Sequence, residues 1–399
     1  MNTVPFRPVP QDEVAWLGTQ PIPTAPYYDV DYFALEREAV FKRSWLQIGH
    51  ICELPEPGSF IRREIEAANA SVLIVRGKDG KVRAFHNICT HRGTELVEAE
   101  NGRRANFSCR YHRWTFGTDG ALMSAPDFEQ FNLAKADCGL LRVAVDVCAG
   151  LLFINFADDP VPLREYLGEL AARLESLPVS KATTFTEYVY EIEANWKLTY
   201  DNFQENYHLR FIHPRSSGAG IGPENPFGYA AGFSFHGQHR TQIIWSNPVP
   251  PPPPYTLSLA FRQAMTLAAE KGLPRVSGPT EYFALFPNFF LLGSALQPFS
   301  QMVMPISATR SRGVIRIYWI GEDASATERF AREALMASVR DVHCEDRNVI
   351  VAGQKGLSSG ALKHIHFQTQ EALCRHLYQT VDTMVETYKA ETRPAGARA

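Results

Sequence analysis

Two short Cys/His pairs, Cys89-Thr-His91 and Cys109-Arg-Tyr-His112, constrain this chain more than any other feature. Thiolate and imidazole both bind borderline-soft metals, so four such groups on neighbouring loops point to zinc or an iron–sulfur centre. The pairs must then meet, and the stretch between them is long enough for one hairpin. The surrounding sequence has the same character. Ser71-Val-Leu-Ile-Val-Arg76, the polar turn Gly77-Lys-Asp-Gly80 and Lys81-Val-Arg-Ala-Phe85 read as two strands around a tight turn. Gly117-Thr-Asp-Gly120 marks another turn, and Gly150-Leu-Leu-Phe-Ile-Asn-Phe156 reads as a buried strand. Ser44 to about Phe156 is therefore predicted to be β-rich, ended by Pro160-Val-Pro162 and helical periodicity over Leu163–Leu177.

A structural zinc ribbon is the competing reading, but ribbons favour C-x-x-C knuckles and the C-x-H half is unusual for them. The spacing resembles that of Rieske centres, in which two Cys hold one iron and two His the other. Gly93 and Tyr111 stand where such loops use them. The resemblance implies Cys89, His91, Cys109 and His112 as ligands of a [2Fe-2S] cluster. Respiratory-chain Rieske proteins resemble C-T-H-L-G-C and C-P-C-H, whose extra cysteines form a disulfide. Here Thr94 and Tyr111 occupy those places, so the chain looks like the lower-potential oxygenase and ferredoxin kind.

Length and composition narrow the rest. A chain of 399 residues exceeds what one core usually organises, so two domains are expected. Hydrophobic content of 45% and charged content of 21% suit a soluble globular protein. A net charge of -3 gives no reason to expect nucleic acid. The most apolar stretch, Phe283–Leu292, is interrupted by Pro287 and Asn288 and is too short to span a bilayer. No basic stretch followed by an apolar run opens the chain, so no signal peptide is expected. Seven scattered cysteines do not resemble a disulfide framework, which makes the cytoplasm the expected compartment.

Beyond the β-rich segment both periodicities occur. Glu187–Glu193, Glu281–Phe286 and Gly313–Ile320 are strand-like, and Ala194–Phe211 carries apolar residues at helical spacing. Ala324–Ile350 and His364–Lys389 read as long amphipathic helices. Pro248 and the run Pro250–Pro254 predict a stiff polyproline loop, and a disordered tail is expected after Thr392.

The segment from Asn195-Trp-Lys through Asp201-Asn-Phe-Gln-Glu205-Asn-Tyr-His208 to His213-Pro214 is the second loaded stretch. Histidines at i and i+5 sit about 140° apart on a regular helix, so both reach one metal only if the helix is distorted or ends between them. Pro214 fits such an ending, because the residue before proline avoids the helical region. Two histidines with one carboxylate leave positions open on iron for O2 and substrate.

This segment is similar to the motif of the Rieske ring-hydroxylating and demethylating oxygenase α-subunits: N-W-K, an acid-Asn-aromatic triplet, an acid two residues before Y-H, then a second His. The resemblance runs from about Tyr28 to the C-terminal helix. It implies His208 and His213 as imidazole ligands of a mononuclear Fe(II), and Glu205 as the acid bridging to a cluster histidine of the neighbouring subunit. Asn202 is a candidate supporting residue or simply a helix-packing amide. Cys344-Glu345-Asp346-Arg347 resembles the family's C-terminal E-D pair, with Asp346 the implied third ligand and Glu345 its rival.

The implied architecture is α+β: a β-rich Rieske domain (44–160) inserted into a helix-grip (START-like) catalytic domain with a twisted antiparallel sheet, whose parts are 1–43 and 161–399. The implied activity is that of a terminal oxygenase hydroxylating a small organic substrate with O2. Electrons from NAD(P)H arrive through a reductase or ferredoxin, because the chain has no dinucleotide or flavin fingerprint. A homotrimer is implied, with or without a β-subunit. Tyr200, Phe203, Phe211, Phe286, Phe290 and the loop near Trp245 are candidate pocket residues, each more readily read as core packing. An aromatic lining holds a flat arene, or cages a quaternary ammonium by cation–π attraction. Glu at position 205 hints at the carnitine and betaine branch, but E-N-Y-H-L departs from that branch's E-C-Y-H-C, and the reading leans to an aromatic substrate. The rival from another class is a Rieske electron carrier without oxygenase chemistry.

Overall fold

The computed structural model of the chain describes residues 6–213, 216, 219–252, 254–270, 280–293, 298–321 and 325–393. It separates into two compact units, Phe41–Tyr166, and Met1–Val40 together with Leu167–Ala399. The N-terminal segment contributes β1 (Ile22–Pro23) and α1 (Val30–Glu36). α1 begins where the Asp29 carboxylate accepts the backbone N–H groups of Asp31 and Tyr32, at 2.8 and 2.9 Å, which satisfies donors that the first turn leaves free.

The unit Phe41–Tyr166 is almost wholly β. Its strands are β2 (Leu46–His50), β3 (Ser59–Ile65), β4 (Ala70–Arg76), β5 (Val82–His86), β6 (Asn101–Arg103), β7 (Asn106–Ser108), β8 (Thr115–Gly117), β9 (Leu122–Ser124), β10 (Arg142–Cys148) and β11 (Leu151–Asn155). Seven form an antiparallel sheet in the order β2-β11-β10-β5-β4-β3-β6, and β7-β8-β9 form a smaller one. The expected hairpin is β4–β5, paired from Val72↔His86 to Arg76↔Val82. Its turn closes through Gly77 N–H to Lys81 O at 2.8 Å, with Gly80 in the left-handed region at φ 77°. The core of this unit gathers Phe60, Leu73, Phe85, Phe107, Trp114 and Phe116 around Cys89 and Cys109.

After this unit the helical stretch predicted over Leu163–Leu177 is two helices, α2 (Leu163–Leu167) and α3 (Leu170–Ser176), parted at Gly168, whose φ is 55°. The larger sheet follows: β12 (Thr184–Ile192), β13 (Gly232–His236), β14 (His239–Ile243), β15 (Glu281–Leu285), β16 (Phe289–Gly293), β17 (Phe299–Ser307) and β18 (Arg310–Trp319). All pairs are antiparallel, in the order β12-β18-β17-β16-β15-β14-β13. Short helices α4 (Trp196–Asp201) and α5 (Leu209–Ile212) precede β13, and α6 (Tyr255–Glu270) lies between β14 and β15. The long helix α7 (Ala326–Ser358) follows β18, then β19 (His364–Ile365) and α8 (Ala372–Thr392). This is the α+β arrangement expected. α7 buries a stripe that includes Leu335, Met336, His343, Asp346, Ile350, Gln354 and Leu357, spaced so that one face meets the sheet.

Four local expectations are corrected. Ala194–Phe211 is not one helix: Glu205 turns its carboxylate onto the N–H groups of Tyr207 and His208, and that local bonding competes with a continuous helix. The C-terminal helix starts at Ala372 rather than His364, because β19 pairs with β1 (Ile22↔Ile365) and a capping box of Gln368 and Glu371 closes a 3₁₀ turn, Thr369–Glu371, ahead of it. α7 runs two turns past Ile350, through Gly353 and Gly356, after a start capped by Ser325 Oγ on Glu328 N–H. α6, not expected at all, packs the small residues Ala260 and Ala264 on Leu335 and Met336 of α7, a stripe too slight to stand out by periodicity. The described part of the proline run is irregular, Pro253 lies outside the described residues, and so does the tail beyond Arg393.

Candidate metal centres

The two Cys/His loops follow one backbone course. Cys89 N–H donates to Thr94 O at 2.8 Å and Gly93 N–H to Cys89 O at 2.9 Å. Cys109 N–H donates to Trp114 O at 2.8 Å and Arg113 N–H to Cys109 O at 3.0 Å. The fourth residue after each cysteine is left-handed, Gly93 at φ 72° and Arg113 at φ 60°. Glycine takes that conformation freely, whereas an arginine is held there against about 1–2 kcal/mol. Both cysteines are buried, and burial pushes the Cys89 thiol up, with the neighbouring Cys109 sulfur adding to it. The His91 and His112 rings lie at the rim with centroids 4.7 Å apart, and Trp114 stacks on His91 at 4.9 Å. Burial lowers His91, which favours the neutral imidazole that a metal takes. Two adjacent sulfurs inside and two imidazoles outside are the donors a Rieske cluster requires.

Asn195-Trp-Lys anchors the second site. Asn195 caps α4 by accepting Lys197 N–H at 3.0 Å, and its own N–H donates to Gln354 Oε1 of α7 at 2.8 Å. Trp196 Nε1 and Lys197 Nζ both donate to the buried Glu36 carboxylate, at 3.0 and 2.5 Å. These bonds fix α4, and the chain that follows it, against α1 and α7.

His208 and His213 are the residues flanking the single turn of α5, and His213 leaves the helical region at φ -115°, ψ 43°. That departure removes the angular mismatch of a regular helix. Donor atoms of His208, His213 and Asp346 all lie within 4.8 Å of one another. Nε2 of His213 is 2.7 Å, and Nε2 of His208 3.5 Å, from Oδ1 of Asp346. His213 Nε2 and Asp346 Oδ1 are buried and, despite their approach, lack the alignment of a hydrogen bond with any described residue. Orphaned buried atoms of this kind require an explanation, and a cation among the three residues supplies one. Each imidazole is held from behind: Glu205 Oε1 is 2.5 Å from His208 Nδ1, and Glu345 Oε2 is 2.7 Å from His213 Nδ1. Burial alone lowers the basicity of His213, but Asp346 and Glu345 outweigh it and raise the net value. Carboxylates on Nδ1 fix the tautomer that turns Nε2 inward, the usual arrangement behind a metal-bound histidine.

Glu345 therefore faces the far side of the His213 ring, also accepting from Ser216 Oγ at 2.6 Å, while Asp346 faces the shared point. Asn202 ends α4, and its side chain has no hydrogen bond among the described residues. Tyr200 is a core tie, its hydroxyl donating to Phe289 O at 2.7 Å. Phe203 and Tyr282 pack on Phe290 at 5.8 and 4.8 Å, and Phe286 is buried. Phe211 is 60% exposed, and Trp245 rests against Phe6. Sequence reasoning missed the support role of Glu345, seen only as a rival to Asp346. It also missed Tyr190, Gln301 and His343, which no motif marks.

Two family models match the chain. Residues 179–387 match the family model described as ring hydroxylating alpha subunit (catalytic domain), and residues 44–143 match the Rieske [2Fe-2S] domain. The chain is 33% identical over 193 residues to the glycine betaine monooxygenase oxygenase subunit of Pseudomonas aeruginosa, covering 48% of this chain and 44% of the relative. It is 34% identical over 205 residues to the carnitine monooxygenase oxygenase subunit of Acinetobacter baumannii, covering 51% and 54%. The matches thus span about half the length of these curated relatives. A crystal structure of a quaternary ammonium Rieske monooxygenase in complex with L-carnitine superposes with a TM-score of 0.76 at 23% identity, over 94% of this chain and 99% of that one, which shows a shared fold.

Proposed function

Because the chain belongs to the ring-hydroxylating α-subunit family and carries a Rieske domain, we propose that it is the terminal oxygenase of a multicomponent system acting on a quaternary ammonium compound. The observation that carries the oxygenase reading is the convergence of His208, His213 and Asp346, each imidazole backed by its own carboxylate. A Rieske electron carrier has no use for that set. The reaction balances as R–H + O2 + 2e⁻ + 2H⁺ → R–OH + H2O. When bound, a cluster at Cys89, His91, Cys109 and His112 supplies single electrons, and an iron at His208, His213 and Asp346 supplies reductive O2 activation.

The protein's own groups do the rest. Glu205 and Glu345 accept the Nδ1–H protons, so both Nε2 lone pairs stay free and both rings keep their orientation. Glu205 has lone pairs left to receive an imidazole N–H from the cluster of a neighbouring subunit in a trimer, which is the bridging role proposed for it. A reductase or ferredoxin provides the electrons, and the seven cysteines, none of them in a disulfide, suit the reducing cytoplasm. No helix among the described residues is long and apolar enough to cross a membrane.

The quaternary ammonium reading rests on the relatives and on Glu205, and the ring cluster of buried Phe290 with half-buried Phe203 and Tyr282 suits it: each ring facing a desolvated cation contributes roughly 0.5–2 kcal/mol. The relatives favour it over the aromatic substrate towards which the sequence leans. The test is substrate-dependent O2 uptake with a surrogate reductase, across quaternary amines, aromatic acids and hydrocarbons, on protein assayed for about three irons and two labile sulfides per chain. Uptake with quaternary amines supports the proposal. About two irons per chain, with no uptake for any compound, reduces the protein to an electron carrier.

A further inference from the structure

Tyr190, Gln301 and His343 form a polar group that neither metal centre uses. His343 stands one turn before Asp346 on α7, and its ring centroid lies 3.8 Å from that of Tyr190 and 5.6 Å from that of Tyr188, both on β12. Gln301 of β17 donates its Nε2 to the Tyr190 hydroxyl. Strand register explains the meeting. Tyr188 and Gln301 both oppose Ile315 of β18, so they share a sheet face with Tyr190, two residues on, and that face packs on α7. The Tyr190 ring lies across its register partner Gly313, where a Cβ would come within 2.0 Å of it. Only a glycine leaves that space.

These side chains are 4%, 1% and 1% exposed, respectively. Nevertheless Gln301 Oε1 and both ring nitrogens of His343 have no hydrogen-bond partner among the described residues. Unpaired polar atoms at such depth weaken a fold, and sites that break the folding rules this way are where a ligand completes the bonding. Burial brings His343 down to about 4, so the ring is neutral at ordinary pH and offers one N–H donor. A second donor exists whichever way the Gln301 amide is oriented. As placed, Gln301 bonds Tyr190 and the phenol O–H is free; reversed, the phenol donates to Gln301 and an amide N–H is free. The charges of Asp346 and, to a smaller extent, Arg347 act on both His343 and Tyr190 with opposite sign. Two buried donors left without an acceptor suit an oxygen acceptor able to take two hydrogen bonds, as a carboxylate does.

We propose that Tyr190, Gln301 and His343 form the subsite that receives a carboxylate of the substrate. The proposal rests on the oxygenase reading and narrows it: the substrate is a small acid. His343 and Asp346 are three residues apart on one helix, about 5 Å along its axis, so the acid group lies only a few bonds from the carbon that is oxidised.

The test is calorimetric binding to the anaerobic, metal-loaded protein of two matched pairs, glycine betaine against tetramethylammonium and benzoate against benzene. The expected result is that the acid member of at least one pair binds about tenfold or more tightly, and that Gln301→Met and His343→Leu each reduce this ratio severalfold. His343→Leu should hold or raise the melting temperature, because it removes two unpaired buried atoms, a readout that a purely structural role would move downward; Gln301→Met also removes the bond to the Tyr190 hydroxyl and is read by the binding ratio alone. Equal binding within both pairs, binding by neither acid, or an unchanged ratio in both variants overturns the proposal. Failure of the oxygenase reading shows itself separately, as missing mononuclear iron in the parent protein.

Discussion

Replacing Glu345 with alanine should weaken Fe(II) binding at the mononuclear site about tenfold without touching the cluster. Glu345 contacts no atom at the shared point; its Oε2 accepts His213 Nδ1 at 2.7 Å and Ser216 Oγ at 2.6 Å. Removing the partner behind a metal-bound histidine costs about 10- to 100-fold in affinity, or roughly 1.4–2.7 kcal/mol. The Glu345 side chain is 37% exposed, so solvent screens part of its effect and the lower end applies. Glu205 is 14% exposed and backs His208 in the same way, so Glu205→Ala should cost more. Glu345→Gln keeps an acceptor but loses the charge and should fall between parent and alanine. The assay is anaerobic competition for Fe(II) against a chelator of known affinity, with the visible absorption of the Rieske cluster as internal control. An affinity within twofold of the parent refutes the support role. Loss as complete as that of Asp346→Ala refutes it too, because Glu345 would then be a ligand.

Three other outcomes are expected. Gln354→Leu strips the partner from the buried Asn195 N–H and from Tyr27 O, so chemical denaturation should report a loss of about 1–3 kcal/mol; an unchanged midpoint contradicts the anchoring role. Gly93→Ala meets no atom within 4 Å, so its effect is backbone strain alone, about 1–2 kcal/mol, and a loss several times larger shows that a contact was overlooked. His376 is lowered to about 3 by burial, reinforced by the charges of Arg240 and His239. Between its ordinary value near 6.5 and about 3, the unfolded chain takes up a proton that the folded one refuses, so stability falls as pH falls through that window. His376→Leu should flatten that slope, and an identical acid-unfolding profile in the variant excludes His376 as its source.

Much of the site was readable before the fold. A Rieske cluster takes two cysteines and two histidines on short loops, so the resemblance singled out Cys89, His91, Cys109 and His112 as its proposed ligands. The hairpin of β4 and β5 was equally plain, because alternation around a glycine turn is local. His208 and His213 were legible as a pair, and the strain predicted for an i, i+5 couple is resolved by a helix one turn long. Ala194–Phe211 misled for the same reason: apolar spacing continues where Glu205 already holds the backbone N–H groups of Tyr207 and His208.

Taken alone, the sequence determined the donor types, the fold class and the family, since these depend on residue identity within short windows. Tertiary structure alone decided which acid of the pair at 345 and 346 faces the two imidazoles, because neighbouring residues of a helix point about 100° apart and only the seating of α7 selects between them. It also decided that Tyr190, Gln301 and His343 meet. They lie on β12, β17 and α7, and strand register, the bare surface of Gly313 and the buried stripe of α7 bring together residues that no local pattern connects.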